Sequence, residues 1–196
     1  MSQDKVYLRV VNGEVVYPIT EENIIASGEP KELYKEVFFA PKPLVSKFQQ
    51  LKEKLTVYSD GFGRVDYIVE EYSLNYFLGI LQPRNAETGE VTTVEYKDLG
   101  TDIRTWVSTK IAEEVQKRLD AFAKERGYDN IVSAKSYVTS SNAQRKAEAE
   151  RAVKVCDDVW DQVFWYQEMV QTGQQPVPRS FDEIETVFKP MLTWED

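Results

Sequence analysis

Histidine is absent from this chain of 196 residues. Its absence removes Ser-His-Asp and Cys-His nucleophile arrangements, histidine-ligated zinc sites and the usual acid–base group that titrates near neutrality. Any enzyme built here would need carboxylates, lysine or tyrosine. There is one cysteine, Cys156, so no internal disulfide can form, and the usage suits a reducing cytoplasm. No run approaches the roughly 20 apolar residues of a transmembrane helix. Met1-Ser2-Gln3-Asp4-Lys5 leads into a strand pattern instead of a signal peptide. Cations are outnumbered, 24 against 33, for a net charge of −9. The acidic surplus is spread over both halves, and no basic patch of the kind phosphate backbones or anionic lipid surfaces require is visible. Nucleic acid and membrane are therefore excluded as partners. No internal repeat or low-complexity stretch stands out.

What is present is enough apolar material, 42 %, for real cores in one or two domains. The first half alternates with period two. Val6–Val11 and Glu14–Tyr17 flank Asn12-Gly13, a strong hairpin signal, and Pro18 is expected to end the second strand. Thr20 can cap a short helix over Glu21–Ala26, stopped by Gly28 and Pro30. Glu36–Phe39 reads as a strand. The spacing of Leu44, Phe48, Leu51 and Leu55 predicts a helix over Leu44–Leu55. Leu55–Ser59 and Arg64–Tyr72 form a second hairpin around Asp60-Gly61-Phe62-Gly63, and Tyr76–Leu81 with Val91–Tyr96 a third around Asn85–Gly89.

After Gly100 the period changes to about 3.6. Ile103, Trp106, Val107, Ile111, Val115, Leu119 and Phe122 form one stripe of a helix over Thr101–Arg126. Tyr128–Ser140 is a polar connection carrying Ile131, Ala134, Tyr137 and Val138. A longer helix over Ser141–Thr172 opens on a Ser141/Gln144 capping box and closes at Gly173, with Pro176 and Pro178 beyond. Its stripe is Ala149, Ala152, Val153, Cys156, Val159, Trp160, Val163, Phe164 and Val170, with Val155, Trp165, Tyr166 and Met169 on flanking faces. Ser180/Glu183 is a second capping box, for a short helix to Phe188, and Met191–Asp196 is apolar enough to dock. The expected fold is α+β: a β-rich N-terminal domain over 1–99, then a helical domain over 100–196 with two long antiparallel helices.

Three groupings could carry chemistry. Asp157, Asp158 and Asp161 could hold a divalent ion or act as a carboxylate pair on a glycoside, although Asp157 and Asp161, one turn apart beside the apolar stripe, fit a solvated face better. Asp60-Gly61-Phe62-Gly63 lacks the third glycine or Lys-Ser/Thr of a phosphate loop, and a strand follows it. Trp160 and Phe164 sit at core spacing. Trp165, Tyr166 and Met169 lie outside the stripe and are the expected partner-binding residues, since exposed apolar groups of this size mark interfaces. Trp165 packing inside the monomer is the alternative. No catalytic residue, cofactor or metal is expected.

Two blocks of residues resemble a known family. Tyr7–Val11, Asn12-Gly13 and Tyr17-Pro18-Ile19-Thr20-Glu21-Glu22-Asn23-Ile24, followed by Val37-Phe38-Phe39-Ala40-Pro41, are similar to the start of tail-fibre assembly proteins of tailed bacteriophages. Arg104, Ser133-Ala134-Lys135-Ser136-Tyr137, Ala147-Glu148-Ala149-Glu150, Trp160 with Val163 and Trp165, Gly173, Pro176-Val177-Pro178 and Phe181–Val187 resemble, in that order, a helical domain found in many such phage proteins. Lys42–Asp98 departs from the pattern. The resemblance implies a non-enzymatic binding protein, acting in the bacterial host cytoplasm during assembly or retained in the virion tail. Its partner would be a tail-fibre or baseplate protein, or a second copy. Two other readings stand beside it: a carbohydrate-active tail enzyme using the Asp157/Asp161 carboxylates, marked by a concave carboxylate pair with an aromatic platform, and a host-directed binding protein, marked by a compact single domain with one large exposed apolar patch.

Overall fold

The computed structural model of the protein describes residues 5–195. Met1–Asp4, from the stretch expected to run into the first strand, and Asp196, the last residue of the docking tail, lie outside the described residues. The chain is α+β, with a five-stranded mixed sheet towards the N-terminus and helices beyond it.

The two compact units divide between Tyr72 and Ser73, earlier than the expected boundary at 99/100. The cause is a helix where a strand was expected. Leu74, Phe77, Leu78 and Leu81 recur at helical spacing, the Ser73 hydroxyl accepts from the Tyr76 N–H at 3.3 Å, and α2 forms over Leu74–Leu81. Phe77 then packs against Trp106 of the helical unit, ring centroids 4.6 Å apart. Of the third hairpin only a single bridge, Arg84 to Val91, remains.

In the first unit the strand order is β2-β1-β3-β5-β4. β1 (Val6–Val11) and β2 (Glu14–Thr20) form the expected hairpin, with φ positive at both Asn12 and Gly13, as a tight two-residue turn requires. Pro18 does not end β2 but lies inside it, tolerated because β2 is an edge strand. Thr20 caps α1 (Glu21–Ser27) in a reciprocal box with Asn23. β3 (Lys35–Phe39) pairs antiparallel with β1 and parallel with β5 (Gly63–Glu71), and β4 (Gln49–Val57) pairs antiparallel with β5. The helix expected over Leu44–Leu55 is replaced by this strand. Leu51 and Leu55, four residues apart, satisfy a period of two as well as 3.6, and Leu44 is fully exposed.

Adjacent residues on β1 point to opposite faces. Tyr7 joins Ile19, Ile24 and Tyr34 beneath α1, while Leu8 joins Val37 and Val65 on the other side. A Cβ at Gly63 would stand 2.4 Å from Leu8 Cδ2 and 3.2 Å from both Leu55 Cδ1 and Val37 Cγ2. The second core therefore closes only because position 63 has no side chain.

In the second unit, α3 (Thr101–Lys124) and α5 (Ala143–Gln171) are about 36 and 43 Å long at 1.5 Å per residue. They run antiparallel. The start of α3 shares a groove with the end of α5, and Arg126 beyond α3 lies beside Gln144, Glu148 and Arg151 at the start of α5. The connection is less irregular than expected: Asn130 caps a short α4 (Ile131–Lys135), whose Ile131 and Ala134 are buried. Asp120 on α3 holds it by accepting the Ile131 N–H at 3.0 Å. The start of α5 is capped by Asn142, not Ser141, through Asn142 Oδ1 to the Arg145 N–H at 3.0 Å. α6 (Phe181–Phe188) forms without the expected Ser180 side-chain bond; Asn75 Oδ1 accepts the Phe181 N–H instead. Arg118 of α3 pairs with Glu185 of α6 at 2.9 Å. The tail docks: Trp194 stacks on Phe122, centroids 4.1 Å apart and planes 10° apart, and its indole N–H donates to the Phe122 carbonyl.

The Gly63 contact generates a test. Gly63→Ala overpacks a closed core and is expected to destabilise the first unit by about 1–3 kcal/mol. Leu8→Ala in the same chain removes the nearest obstacle, so the cost of Gly63→Ala measured by urea unfolding should shrink in that background. Equal costs in both backgrounds would show that the backbone moves aside.

Candidate functional site

An apolar groove of about 220 Å³ lies in the helical unit, at the end where α3 begins and α5 finishes. Its walls are Val107, Ile111 and Ala112 of α3, Trp160, Val163, Phe164 and Val170 of α5, and Ile184 of α6. Its floor at one end is Leu99 with Val177, which cluster with Val170.

Each wall has a sequence cause. Arg104 donates to the carbonyls of Leu99 at 2.8 Å and Lys97 at 3.1 Å, and its guanidinium lies 4.8 Å from the centre of the Tyr96 ring. It thereby folds the segment before α3 back against the helix start. On the other side, Gly173 takes φ 74° just beyond α5 and lets the chain turn. The return stretch Pro176-Val177-Pro178 is then held from within. Gln82, 3 % exposed, donates its carboxamide to the carbonyls of Val177 and Pro178, both at 3.1 Å.

The exposed side of α5 adjoins this groove. The buried stripe is Ala149, Ala152, Val155, Cys156, Val159, Val163 and Val170. Compared with the expected stripe, it is rotated toward Val155, and both α4 and α6 pack on α5. Phe164, placed in the core by its spacing, is instead 59 % exposed. It stacks on half-buried Trp160 with centroids 5.6 Å apart. Trp165, off the stripe as expected, is 46 % exposed. Around these rings stand Asp157, Asp161 and Glu168, all exposed. Asp158 pairs with Lys154 at 2.6 Å.

The three residues expected to bind a partner do not share one environment. Trp165 is open to solvent, while Met169 and Tyr166 are partly buried. Tyr166 packs against the Leu99, Val170 and Val177 cluster, and burial, with Glu183 adding to it, pushes its phenol up from the ordinary value. Tyr166 therefore belongs to the groove wall more than to the open face. Sequence reasoning missed Phe164 and Gln82. A signal for Phe164 was available: Asp157, Asp161 and Glu168 fall at i−7, i−3 and i+4 from it, on the same helical row, where a core position would have apolar neighbours.

A second concavity lies at the opposite end of α5, between Tyr128, Tyr137, Arg145 and Glu148. It is polar and internally engaged. Tyr128 donates to Glu148 at 2.7 Å, which holds the carboxyl below its usual range, while burial first and Glu148 second push the phenol up to about 12. Arg145 lies over the Tyr137 ring. Among the described residues, no three His, Cys, Asp or Glu side chains gather as a metal site would need, and no helix is long and apolar enough to cross a membrane. No family model, curated protein or solved structure matches this chain.

The Gln82 bonds generate the second test. Gln82→Leu keeps the apolar packing but leaves two buried carbonyls without donors. The expected cost is about 2 kcal/mol or more in urea unfolding. An unchanged midpoint would mean that water reaches both carbonyls.

Proposed function

We propose that this chain is a binding protein of tailed-phage assembly, acting on a tail-fibre or baseplate protein and performing no catalysis. The observation that carries the binding reading is the pairing of two large exposed rings, Phe164 and Trp165, with an adjoining apolar groove on one helix end. Large exposed rings beside an apolar groove are costly to leave in water and mark interaction sites. The phage assignment rests on the order of motifs at both ends of the chain. Tyr7–Ile24 supplies the strand, Asn-Gly turn, strand and capped short helix, and Trp160 to Pro178 supplies the helical pattern. It places the protein in the bacterial host cytoplasm during assembly, with retention in the virion tail as the alternative outcome.

The carboxylates play no catalytic part in this reading. Asp157 and Asp161 stand exposed on a convex helix face, and Asp158 is engaged by Lys154. They keep the exposed aromatic surface soluble and set the charge that a partner must complement.

Trp165→Ala tests the reading directly. As an interface anchor, Trp165 should contribute about 2 kcal/mol or more to association with a co-expressed tail-fibre protein. Thermal unfolding of the isolated chain should stay unchanged, because the buried stripe is untouched. A destabilised variant whose folded fraction binds normally would sink the interface claim. Mass spectrometry of purified virions then separates a departing assembly factor from a resident tail component.

A further inference from the structure

The groove and the acidic helix face beside it have a definite charge and shape, and these select an occupant. We infer that this surface docks a basic amphipathic helix of the partner, one apolar side chain entering the groove and Lys or Arg residues lying along α5. The inference rests on the binding reading above and names the chemistry of the segment bound.

Shape comes first. The cavity of about 220 Å³ is walled almost wholly by carbon, from Val107 and Ile111 on one side to Trp160 and Val163 on the other. An apolar cavity of roughly 150 Å³ already takes a benzene ring. This one has room for a single aromatic or branched aliphatic side chain. The groove lies between two antiparallel helices, and a helix laid along such a groove presents anchors at i, i+3 or i+4, and i+7. The first anchor fills the cavity, and the following ones meet the exposed faces of Phe164 and Trp165.

Charge comes second. Asp157, Asp161 and Glu168 are exposed on α5, on the helical row beside Phe164, which lines the groove. Lys154 is already taken by Asp158. Across the groove, Arg104 is turned onto backbone carbonyls and the Tyr96 ring. The α5 face beside the groove therefore presents carboxylates and aromatic faces to the ligand, and both attract Lys and Arg: carboxylates by ion pairing, and the Trp165 face by cation–π attraction. A second copy of this chain would bring the same carboxylates to the same place, within a molecule of net charge −9. Like charges at close range oppose that self-association.

Three synthetic helical peptides of about 14 residues, roughly four turns, test the inference against the full-length chain. One carries Leu at i, i+3 and i+7 with Lys and Arg flanking them. A second replaces the basic residues with Glu. A third keeps the basic residues and replaces each Leu with Ala. Titration calorimetry should show the first peptide binding, and the other two at least tenfold weaker. Raising the salt from about 0.01 to 1 M shortens the screening length from about 30 to 3 Å, so affinity should fall at least several-fold. Asp157→Asn, Asp161→Asn and Glu168→Gln together should weaken the first peptide by about tenfold and remove most of its salt dependence. Phe164→Ala should weaken it at every salt concentration.

Equal binding of the basic and acidic peptides, or none by the basic one, overturns the inference. So does a dimer in sedimentation that Phe164→Ala dissociates, because a second copy then covers the face. The binding reading is judged separately. Co-purification of a tail protein that depends on Trp165, with no basic peptide bound, leaves that reading standing and removes this inference. Basic peptide bound with no tail protein captured does the reverse.

Discussion

The helical unit is organised around one buried carboxamide. Gln82 has two N–H donors, and the turn through Val177 and Pro178 leaves two carbonyls facing the interior. Backbone carbonyls buried without donors cost about 1–3 kcal/mol each, so the return of the chain from α5 to α6 is stable along the path that meets this side chain. That path sets Val177 against Leu99 and Val170, and brings α6 up so that Ile184 closes one side of the groove. The groove is thus a consequence of how a polar requirement was met.

The same unit shows a competition that α5 cannot resolve internally. A helix of 29 residues offers more apolar side chains than its neighbours can cover. α4 and α6 both pack on α5, and the docked tail fixes the far end through Trp194 on Phe122 and Arg151 on the Thr193 carbonyl. Burying a Phe side chain fully is worth about 1.5–3 kcal/mol, a sizeable share of a typical domain stability of about 5–15 kcal/mol. Leaving Phe164 and Trp165 half in water forgoes that gain. A sequence selected for stability alone would carry polar residues there, as it does at Asp157, Asp161 and Glu168 on the same face. The exposure thus fits a surface that is covered in its working state.

Much of this was legible before the structure. The Asn12-Gly13 hairpin, the hairpin closed at Gly61 and α1 behind Thr20 follow from turn residues and a cap, and α3, α5 and α6 follow from period, although the caps expected at Ser141 and Ser180 are not the ones that form. The failures share a cause: short apolar segments that satisfy two periods. Leu51 and Leu55 fit helix and strand alike, and antiparallel pairing with β5 decides for the strand. Tyr76, Leu78 and Ile80 alternate, but Leu74, Phe77, Leu78 and Leu81 also form a helical stripe, and the Ser73 cap with Phe77 on Trp106 decides for the helix. That single reversal moved the domain boundary to Tyr72/Ser73. At the site, Trp165 was legible from its position off the stripe. Phe164 was not, because the stripe was centred on spacing alone. Its true centre depends on α4 and α6, whose docking no local pattern encodes.

The aromatic face of α5 is exposed in the free chain, and under the proposed function a partner covers it in the assembled one. Residue-resolved hydroxyl-radical footprinting of the free chain and of the chain co-purified with the proposed tail partner measures this directly. In the free chain, Phe164 and Trp165 should be heavily modified, and the fully buried Phe122 and Phe188 should be untouched. In the complex both exposed rings should become protected, with Phe122 and Phe188 unchanged. Phe164 and Trp165 already protected in the free monomer, or equally modified in both states, would contradict the claim.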